Sequence, residues 1–498
     1  MSVEISRRGF LGGLALYVAS RPVRSYAAAC GAREPKVAFG VLSDVHIAAR
    51  PYMDRFVKDI AAYKRFNDTA YLEKAFAFFR DRGADGVAIA GDLADWGLVG
   101  QLQQIAEAWA RVFPGGKGKD GRPVERLFAL GNHDFDGWRY AYAKEARGDL
   151  PLPKEEIFAS NPAGNWARVF GGEKYEPIWL KFVKGYSFVG AHWAGSKGIH
   201  AIGPFLAARA EVLKGERPFF YFQHAQPKNT CLGGWIWGHD DGCSTKALSA
   251  FPNAVAFSGH SHKPLTNELN VWQGAFTSIG TASLFSLGHP VGRENGTMAD
   301  LNARQVMGND AGRKKNQPVA IHGQFVRVYE DFIEIERVEF VTGKPLGPNL
   351  VIPLPATKEK PFLFATQAMK ATVPAPFPEG AEVAVAREEK PLRGTTVPVP
   401  VVAATFPQTR FATGASRTAD YEIAVEATEV DVTEIVFTRY LAAPSDLFPI
   451  STAAKRKKLT FRLAASLLPK GVSLRFIVRG RETFGKLTAP IYSAPFML

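Results

Sequence analysis

Five short apolar runs in the first half of this chain each end, within a few positions, in a residue able to bind a metal ion. They lie at residues 37–42 before Asp44 and His46, at 87–90 before Gly91-Asp92, at 127–130 before Gly131-Asn132-His133-Asp134, at 219–222 before His224, and at 255–257 before Gly259-His260-Ser261-His262. Runs this short and nearly free of polar residues are expected to be strands buried on both faces, as in sheets covered by helices. In open α/β sheets, ligands gather at the carboxyl ends of such strands. The pattern therefore predicts that one end of a sheet collects the carboxylates, the amide and the imidazoles that follow these runs.

The succession Asp-x-His, Gly-Asp, Gly-Asn-His-Asp, His and Gly-His-x-His resembles the calcineurin-like metallophosphoesterase family, all of whose motifs occur here in family order over roughly residues 36 to 340. The resemblance implies a four-layer αββα sandwich of the α/β class. It also implies that Asp44, His46, Asp92 and His262 ligate one metal ion, and that Asp92, Asn132, His224 and His260 ligate a second, with Asp92 bridging both. Such a pair of ions lowers the pKa of a bridging water and clamps the phosphoryl oxygens. Mixed oxygen and imidazole ligands suit divalent or mixed-valence Mn, Fe, Zn or Co without selecting among them. His133 takes the place of the family's catalytic histidine, and Asp134 is expected to accept a hydrogen bond from its other ring nitrogen. Between residues 219 and 250, His224 is preferred to His239 and Asp240 as a ligand because it alone ends an apolar run.

Purple acid phosphatases share this scaffold but carry a tyrosine ligand three residues after the Gly-Asp aspartate. Asp95 stands there in this chain, which argues against a tyrosinate-iron site. Asp95 either orients a ligand from behind or lies at the surface. His192, which ends another strand-like run, either faces substrate or is structural. Trp235, Trp237, His239, Asp240 and Asp241 wall the pocket or merely pack, and Tyr52, Lys58 and Arg65 either contact the leaving group or form a solvated face.

Between the motifs, Asp68 reads as the N-cap of a helix running to about Arg82, with Leu72, Ala75, Phe76 and Phe79 at helical spacing. A second helix is expected near 102–112, a hairpin at 178–183 and 186–191, and a helix over 205–213, whereas residues 135–180 show no clear period. Segments 276–279, 325–329 and 332–340 read as strands completing the second sheet. From about residue 341, Gly and Pro punctuate the chain and short strand-like runs follow at 395–403, 421–427, 434–440, 459–463 and 473–478. These suggest a small β-sandwich. The last stretch, Leu474 to Ser493, is similar to the final strands of a fibronectin type III module. The expected division is a signal segment over 1–30, a catalytic domain over 31–350 and an accessory β-sandwich over 351–498.

Ser6-Arg7-Arg8-Gly9-Phe10-Leu11, a short apolar stretch and then Ala27 to Ala29 form a twin-arginine export pattern, too short to anchor in a bilayer. The expectation is an exported protein, periplasmic or extracellular, that engages the twin-arginine machinery. Membrane attachment would come only through a lipid anchor at Cys30, against which the arginines between the apolar stretch and the cysteine argue. Cys231 and Cys243 either close a small disulfide loop or remain thiols. The net charge of +13 falls to +10 beyond residue 29, since four arginines and one glutamate precede that point. Such an excess steers anionic substrates. With no basic stripe interleaved with aromatics, stable nucleic-acid binding is not expected.

The sequence thus reads as a binuclear metal-dependent phosphoesterase acting by direct attack of a metal-bridged hydroxide, without a covalent enzyme intermediate. Diesters are slightly preferred because no cluster of basic residues near the motifs receives a dianionic phosphate. Monoester hydrolysis at the same site, and a non-catalytic protein that binds a surface through its C-terminal sandwich, are the alternatives.

Overall fold

The structure, a computed structural model, describes residues 33–47, 69–145, 153–195, 198–231, 239–285, 287, 321–355, 373–391, 396–410, 415–443, 457–482 and 485–498. The twin-arginine segment, Cys30, Tyr52, Lys58, Arg65, Trp235 and Trp237 lie outside the described residues.

Strand β1 (Val37–Leu42) is buried on both faces. Val37, Phe39 and Val41 point to one side, Ala38 and Leu42 to the other, as the two-residue repeat of a strand requires. A Cβ on Gly40 would collide with the Phe79 ring, so the glycine lets helix α1 (Ala70–Asp81) settle onto the sheet. There follow β2 (Gly86–Ala90), α2 (Val99–Val112), β3 (Glu125–Ala129), α3 (Asn132–Glu145), α4 (Pro162–Val169), β4 (Ile178–Val183), β5 (Tyr186–Ala191), α5 (Ile202–Ala207), α6 (Ala210–Leu213), β6 (Phe219–Phe222), α7 (Cys243–Leu248), β7 (Ala254–Ser258), β8 (Val271–Gln273), β9 (Thr277–Gly280), β10 (His322–Val328), β11 (Phe332–Glu339), β12 (Lys344–Pro345) and β13 (Leu350–Pro353).

Two sheets form. The first runs β12-β11-β10-β1-β2-β3, with β13 also paired to β11, and the second runs β4-β5-β6-β7-β9-β8. Strands β1 to β3 are mutually parallel, as are β5, β6, β7 and β9. Phe39, Val41, Leu127 and Val326 of the first sheet meet Phe188, Phe220, Phe222 and Phe257 of the second. The Phe39 ring lies 4.7 Å from Phe220 and 5.1 Å from Phe188, both edge-on, the arrangement that aromatic quadrupoles favour. Helices α1 and α2 cover the first sheet with Phe76, Phe79, Trp109 and Phe113. Ile202, Leu206 and Leu248 of α5 and α7 cover the second. The result is the expected four-layer αββα sandwich.

Several local expectations are corrected. Strands β10 and β11 belong to the first sheet, where Phe39 pairs with Val326; a strand's periodicity does not say which sheet edge it joins after a long excursion. Helix α3 begins directly at Asn132, in a stretch whose mixed polar and aromatic residues give no apolar stripe to read. The helix expected over 205–213 is two short ones, α5 and α6, parted around Ala208 and Arg209. At α1, Thr69 holds the N-cap position, its hydroxyl donating to Glu73 at 2.7 Å, and Asp68 lies outside the described residues.

The C-terminal region is all-β. One sheet orders Ala384–Pro391, Pro398–Pro407 and Lys458–Ala464; the other orders Val432–Ala442, Thr418–Glu429, Ser473–Glu482 and Ile491–Tyr492. Phe406, Tyr421, Phe461 and Phe476 share one core. Arg475, Arg479 and Arg481 pair across strands with Glu426, Glu422 and Asp420. The strand Ala384–Pro391 was not expected, because it is an exposed edge rich in charge, a common defence of open edges.

Candidate metal centre

The carboxyl ends of β1, β2 and β3 in one sheet and of β6 and β7 in the other converge on one region. Just past them, Asp44, His46, Asp92, His260 and His262 all adopt left-handed backbone, with φ between 48° and 64°. A non-glycine residue there costs roughly 1–2 kcal/mol, and such strain concentrates at functional sites.

Six of the seven side chains singled out as ligands gather there, and the seventh, Asn132, follows β3 at the start of α3. His262 Nε2 lies 2.8 Å from Asp44 Oδ1, and His46 Nε2 lies 3.2 Å from His262 Nε2 and 3.6 Å from Asp92 Oδ2. His224 Nε2 is 3.0 Å from Asp92 Oδ2 and 3.8 Å from Asp44 Oδ1. Ligand atoms of Asp44, His46 and His262 form one cluster, those of Asp92, His224 and His260 a second. Asn132, at the first position of α3, turns a buried Oδ1 that has no hydrogen-bond partner among the described residues. His239 is absent from both clusters, its Nδ1 facing the Asp240 carbonyl, so His224 is the histidine that joins them.

Small residues make the room. A Cβ on Gly91 would strike the His224 ring, one on Gly131 would strike Asp92 Oδ1, and one on Gly259 would strike Asp44 Oδ2. Hydrogen bonds then set the direction of each donor. His224 Nδ1–H donates to the Ala90 carbonyl at 2.9 Å, which turns Nε2 inward. His46 Nδ1 is 3.1 Å from Asp95 Oδ1, which likewise turns its Nε2 inward. Asp44 accepts from the His260 main-chain N–H at 3.1 and 3.0 Å and lies 2.6 Å from the Ser43 hydroxyl. Asp92 Oδ1 accepts from the His133 N–H at 2.8 Å.

These donors fit transition-metal ions. Their inward atoms stand 3.0–3.2 Å apart, and about 3 Å is the ligand–ligand edge when bonds to the metal are about 2.1 Å. His224 Nε2, buried and not aligned for a hydrogen bond despite its 3.0 Å approach to Asp92, is the clearest such atom. Burial raises the carboxyl pKa values of Asp44 and Asp92, but the surrounding imidazoles outweigh it and hold both ionised. Burial depresses the His224 pKa, whereas Asp92 and Asp44 raise it to about 9.

Asp134 does not meet His133 as expected. Its carboxylate turns the other way and accepts from the main-chain N–H groups of Gly131, Ala94 and Leu93 at 2.8, 2.7 and 3.2 Å, which ties the β3 turn to the β2 turn. A residue that directly follows His133 on a helix is directed to a different face. Burial and the Asp92 charge push its pKa up to about 7, against the pull of the three N–H donors. Asp134→Ala would strand those donors in the interior, at about 1–3 kcal/mol per group. The expected outcome is a lowering of the unfolding free energy by about 3 kcal/mol or more, measured by denaturant titration.

Asp95 takes the place foreseen for Asp134. It is buried, with Oδ1 3.1 Å from His46 Nδ1 and 3.5 Å from His133 Nδ1, and its carbonyl is 2.7 Å from that same His133 nitrogen. One residue therefore orients both imidazoles. His133 is partly open to solvent, its ring edge-on to His46 at 4.6 Å.

His192 proves structural. Its Nδ1 accepts from the Leu130 N–H at 3.0 Å, the ring stacks on Tyr175 at 4.9 Å, and burial with nearby Lys181 lowers its pKa to about 3. It fixes the end of β3 rather than touching substrate. Asp240 is buried and accepts from the main chain of Lys228 and Gly242, while Asp241 pairs with His200 at 3.0 Å. Cys231 and Cys243 are both free thiols. Trp193, which nothing in the sequence singled out, packs its ring 5.9 Å from His260 and 6.3 Å from His224.

Residues 37–264 match the family model described as calcineurin-like phosphoesterase. No curated protein matches the sequence. Among solved structures, a dimetal phosphatase from Danio rerio is 11% identical with a TM-score of 0.35, over 64% of this chain and 99% of that one. Purple acid phosphatase PPD1 from yellow lupin seeds is 12% identical, also with a TM-score of 0.35, over 64% of this chain and 55% of that one. Both are too distant to lend this chain a substrate.

Proposed function

We propose that the region matching the calcineurin-like phosphoesterase model, residues 37–264, hydrolyses phosphoesters, diesters in preference, at a centre of two metal ions held by Asp44, His46, Asp92, Asn132, His224, His260 and His262. The observation that carries this reading is the position of Asp92. Its Oδ2 faces His46 Nε2 of one cluster at 3.6 Å and His224 Nε2 of the other at 3.0 Å, as a carboxylate shared by two ions must. When bound, such ions activate a water at neutral pH and neutralise charge on the phosphoryl oxygens.

The chain's own residues supply the rest. His133 donates Nδ1–H to the Asp95 carbonyl, and its Nε2 is the atom that carries a proton to the departing alkoxide. Asp95 keeps that ring and His46 from rotating away. The turn held by Asp134 places Asn132 and His133 together at the start of α3, so amide ligand and proton donor move as one unit. Preference for diesters is supported by the lack of a basic cluster among the motif loops. Comparing kcat/KM on bis-p-nitrophenyl phosphate and p-nitrophenyl phosphate tests it: the diester should lead, and a lead for the monoester reverses the assignment.

Export is part of the same reading, supported by Arg7 and Arg8 ahead of a short apolar stretch. Changing both to lysine should strand the protein inside the cell, as fractionation would show; undiminished export contradicts it. The β-sandwich is read as an accessory module. Hydrolysis by residues 31–355 alone at the full-length rate would restrict it to stability or targeting.

A further inference from the structure

A second set of metal-binding side chains meets where the chain entering α5 passes the start of α7, and it shares no residue with the two clusters of the hydrolytic centre. His200 lies two residues before α5, Asp241 two residues before α7, and Cys243 is the first residue of α7. A ring nitrogen of His200, a carboxylate oxygen of Asp241 and the sulfur of Cys243 all lie within 4.8 Å of one another. His200 Nε2 is 3.0 Å from Asp241 Oδ2. The other carboxylate oxygen, Oδ1, accepts the Cys243 main-chain N–H at 3.0 Å, which fixes the carboxylate beside the thiol's own residue.

The backbone is shaped for this approach. Gly198 has φ 93°, and a Cβ there would stand 2.7 Å from Asp240 Cβ and 2.9 Å from Cys243 Sγ. A larger residue would push the chain that carries His200 away from the sulfur. Gly242, between Asp241 and Cys243, has φ 105°, a turn that glycine makes without strain. Ile202 and Leu206 of α5 share a core with Leu248 of α7, so the two helices, and the residues at their starts, are held together.

Cysteine, histidine and aspartate could also serve a nucleophilic thiol, but the electrostatics point the other way. Partial burial, and then the Asp240 and Asp241 carboxylates, push the Cys243 thiol up to about 11. At neutral pH it is therefore a protonated thiol and a poor nucleophile. Carboxylates beside a sulfur disfavour a free thiolate and favour a cation, and Asp240 Oδ2 lies 3.9 Å from Sγ.

We propose that His200, Asp241 and Cys243 bind a transition-metal ion of the zinc class, additional to the ions of the hydrolytic centre. Thiolate and imidazole suit Zn²⁺, whereas Mn²⁺ and Mg²⁺ prefer sites made of oxygen alone. Tetrahedral bonds of about 2.0–2.3 Å set donors about 3.3–3.8 Å apart, a closure that rotation of the exposed His200 side chain supplies. Three protein ligands leave the fourth position to water, which enters from the exposed side of His200 and Asp241. Binding breaks the Cys243 S–H bond and forms a metal–sulfur bond, and the proton passes to solvent. The ion clips the chain ahead of α5 to the start of α7.

The test is titration of metal-stripped full-length protein with Co²⁺, read as cobalt bound per chain and as near-ultraviolet thiolate-to-Co²⁺ charge-transfer absorption. No sulfur stands among the seven ligands of the hydrolytic centre, so the band reports on this site whatever happens at the other. The wild type should develop the band and take up one more Co²⁺ per chain than Cys243→Ser, which should develop none. His200→Ala and Asp241→Ala should each lose the band at the Co²⁺ concentration that saturates the wild type, whereas Cys231→Ser and Cys30→Ser should keep it. Zn²⁺ should bleach it, and Mn²⁺ in the same excess should not. No band in the wild type, a band that survives in Cys243→Ser, or a band unchanged in both His200→Ala and Asp241→Ala, as a lone adventitious thiolate would give, each overturns the proposal. Failure of the hydrolase reading is separately visible, as absent phosphoester turnover with this band intact.

Discussion

Asp92→Asn is expected to lower kcat/KM for phosphoester hydrolysis by about a thousandfold or more, because in the proposed centre Asp92 is the bridging carboxylate and its loss removes several kcal/mol of charge stabilisation. The substitution keeps the side chain's volume, and the amide that replaces the carboxylate retains an oxygen for the His133 N–H that Asp92 Oδ1 now accepts. The fold should therefore survive, with circular dichroism and thermal midpoint near those of the wild type. Metal content should fall below that of the wild type, since the shared ligand serves both clusters. Activity within tenfold of wild type in the folded variant would mean that Asp92 is not shared between two ions.

His133→Ala should have the next largest effect, and its size should depend on the leaving group. General-acid catalysis contributes about 10²–10⁴-fold, so turnover of an alkyl ester should fall by that much. Turnover of a p-nitrophenyl ester, whose leaving group needs no proton, should fall far less. Metal content should be unchanged, because His133 faces Asp95 and the open side of the site rather than the ligand atoms. Asp95→Asn separates orientation from proton transfer. It should cost about 10–100-fold on both kinds of ester, the usual effect of removing a residue that orients a ligand, since His46 and His133 lose their common partner together. Loss of metal in His133→Ala would make that histidine structural.

Much of this site was legible because buried parallel strands carry an unusual signature. Continuous apolar runs mark the strands, and their carboxyl ends mark where donors collect, so Asp44, His46, Asp92, Asn132, His224, His260 and His262 are placed together by sequence alone. The preference for His224 over His239 rests on the same logic. Asp134 and Asp95 show its limit. Adjacency in sequence favours Asp134 as the partner of His133, but α3 starts at Asn132 and turns Asp134 onto the β2 turn, while Asp95 arrives from another loop. Which sheet receives β10 and β11 was likewise invisible, because their alternation is satisfied equally on either sheet. The cluster of His200, Asp241 and Cys243 joins the chain ahead of α5 to the start of α7, so no window of sequence contains it.

The central claim is that two metal ions held by these seven side chains perform the hydrolysis. It is tested most directly by stripping the full-length protein with chelator, reloading it with graded Mn²⁺, and measuring metal per chain together with hydrolysis of bis-p-nitrophenyl phosphate. The predicted result is silence in the stripped protein, binding that saturates at two ions per chain, and activity that returns as the second ion enters. Hydrolysis undiminished by metal removal, or full activity with a single ion bound, would contradict it.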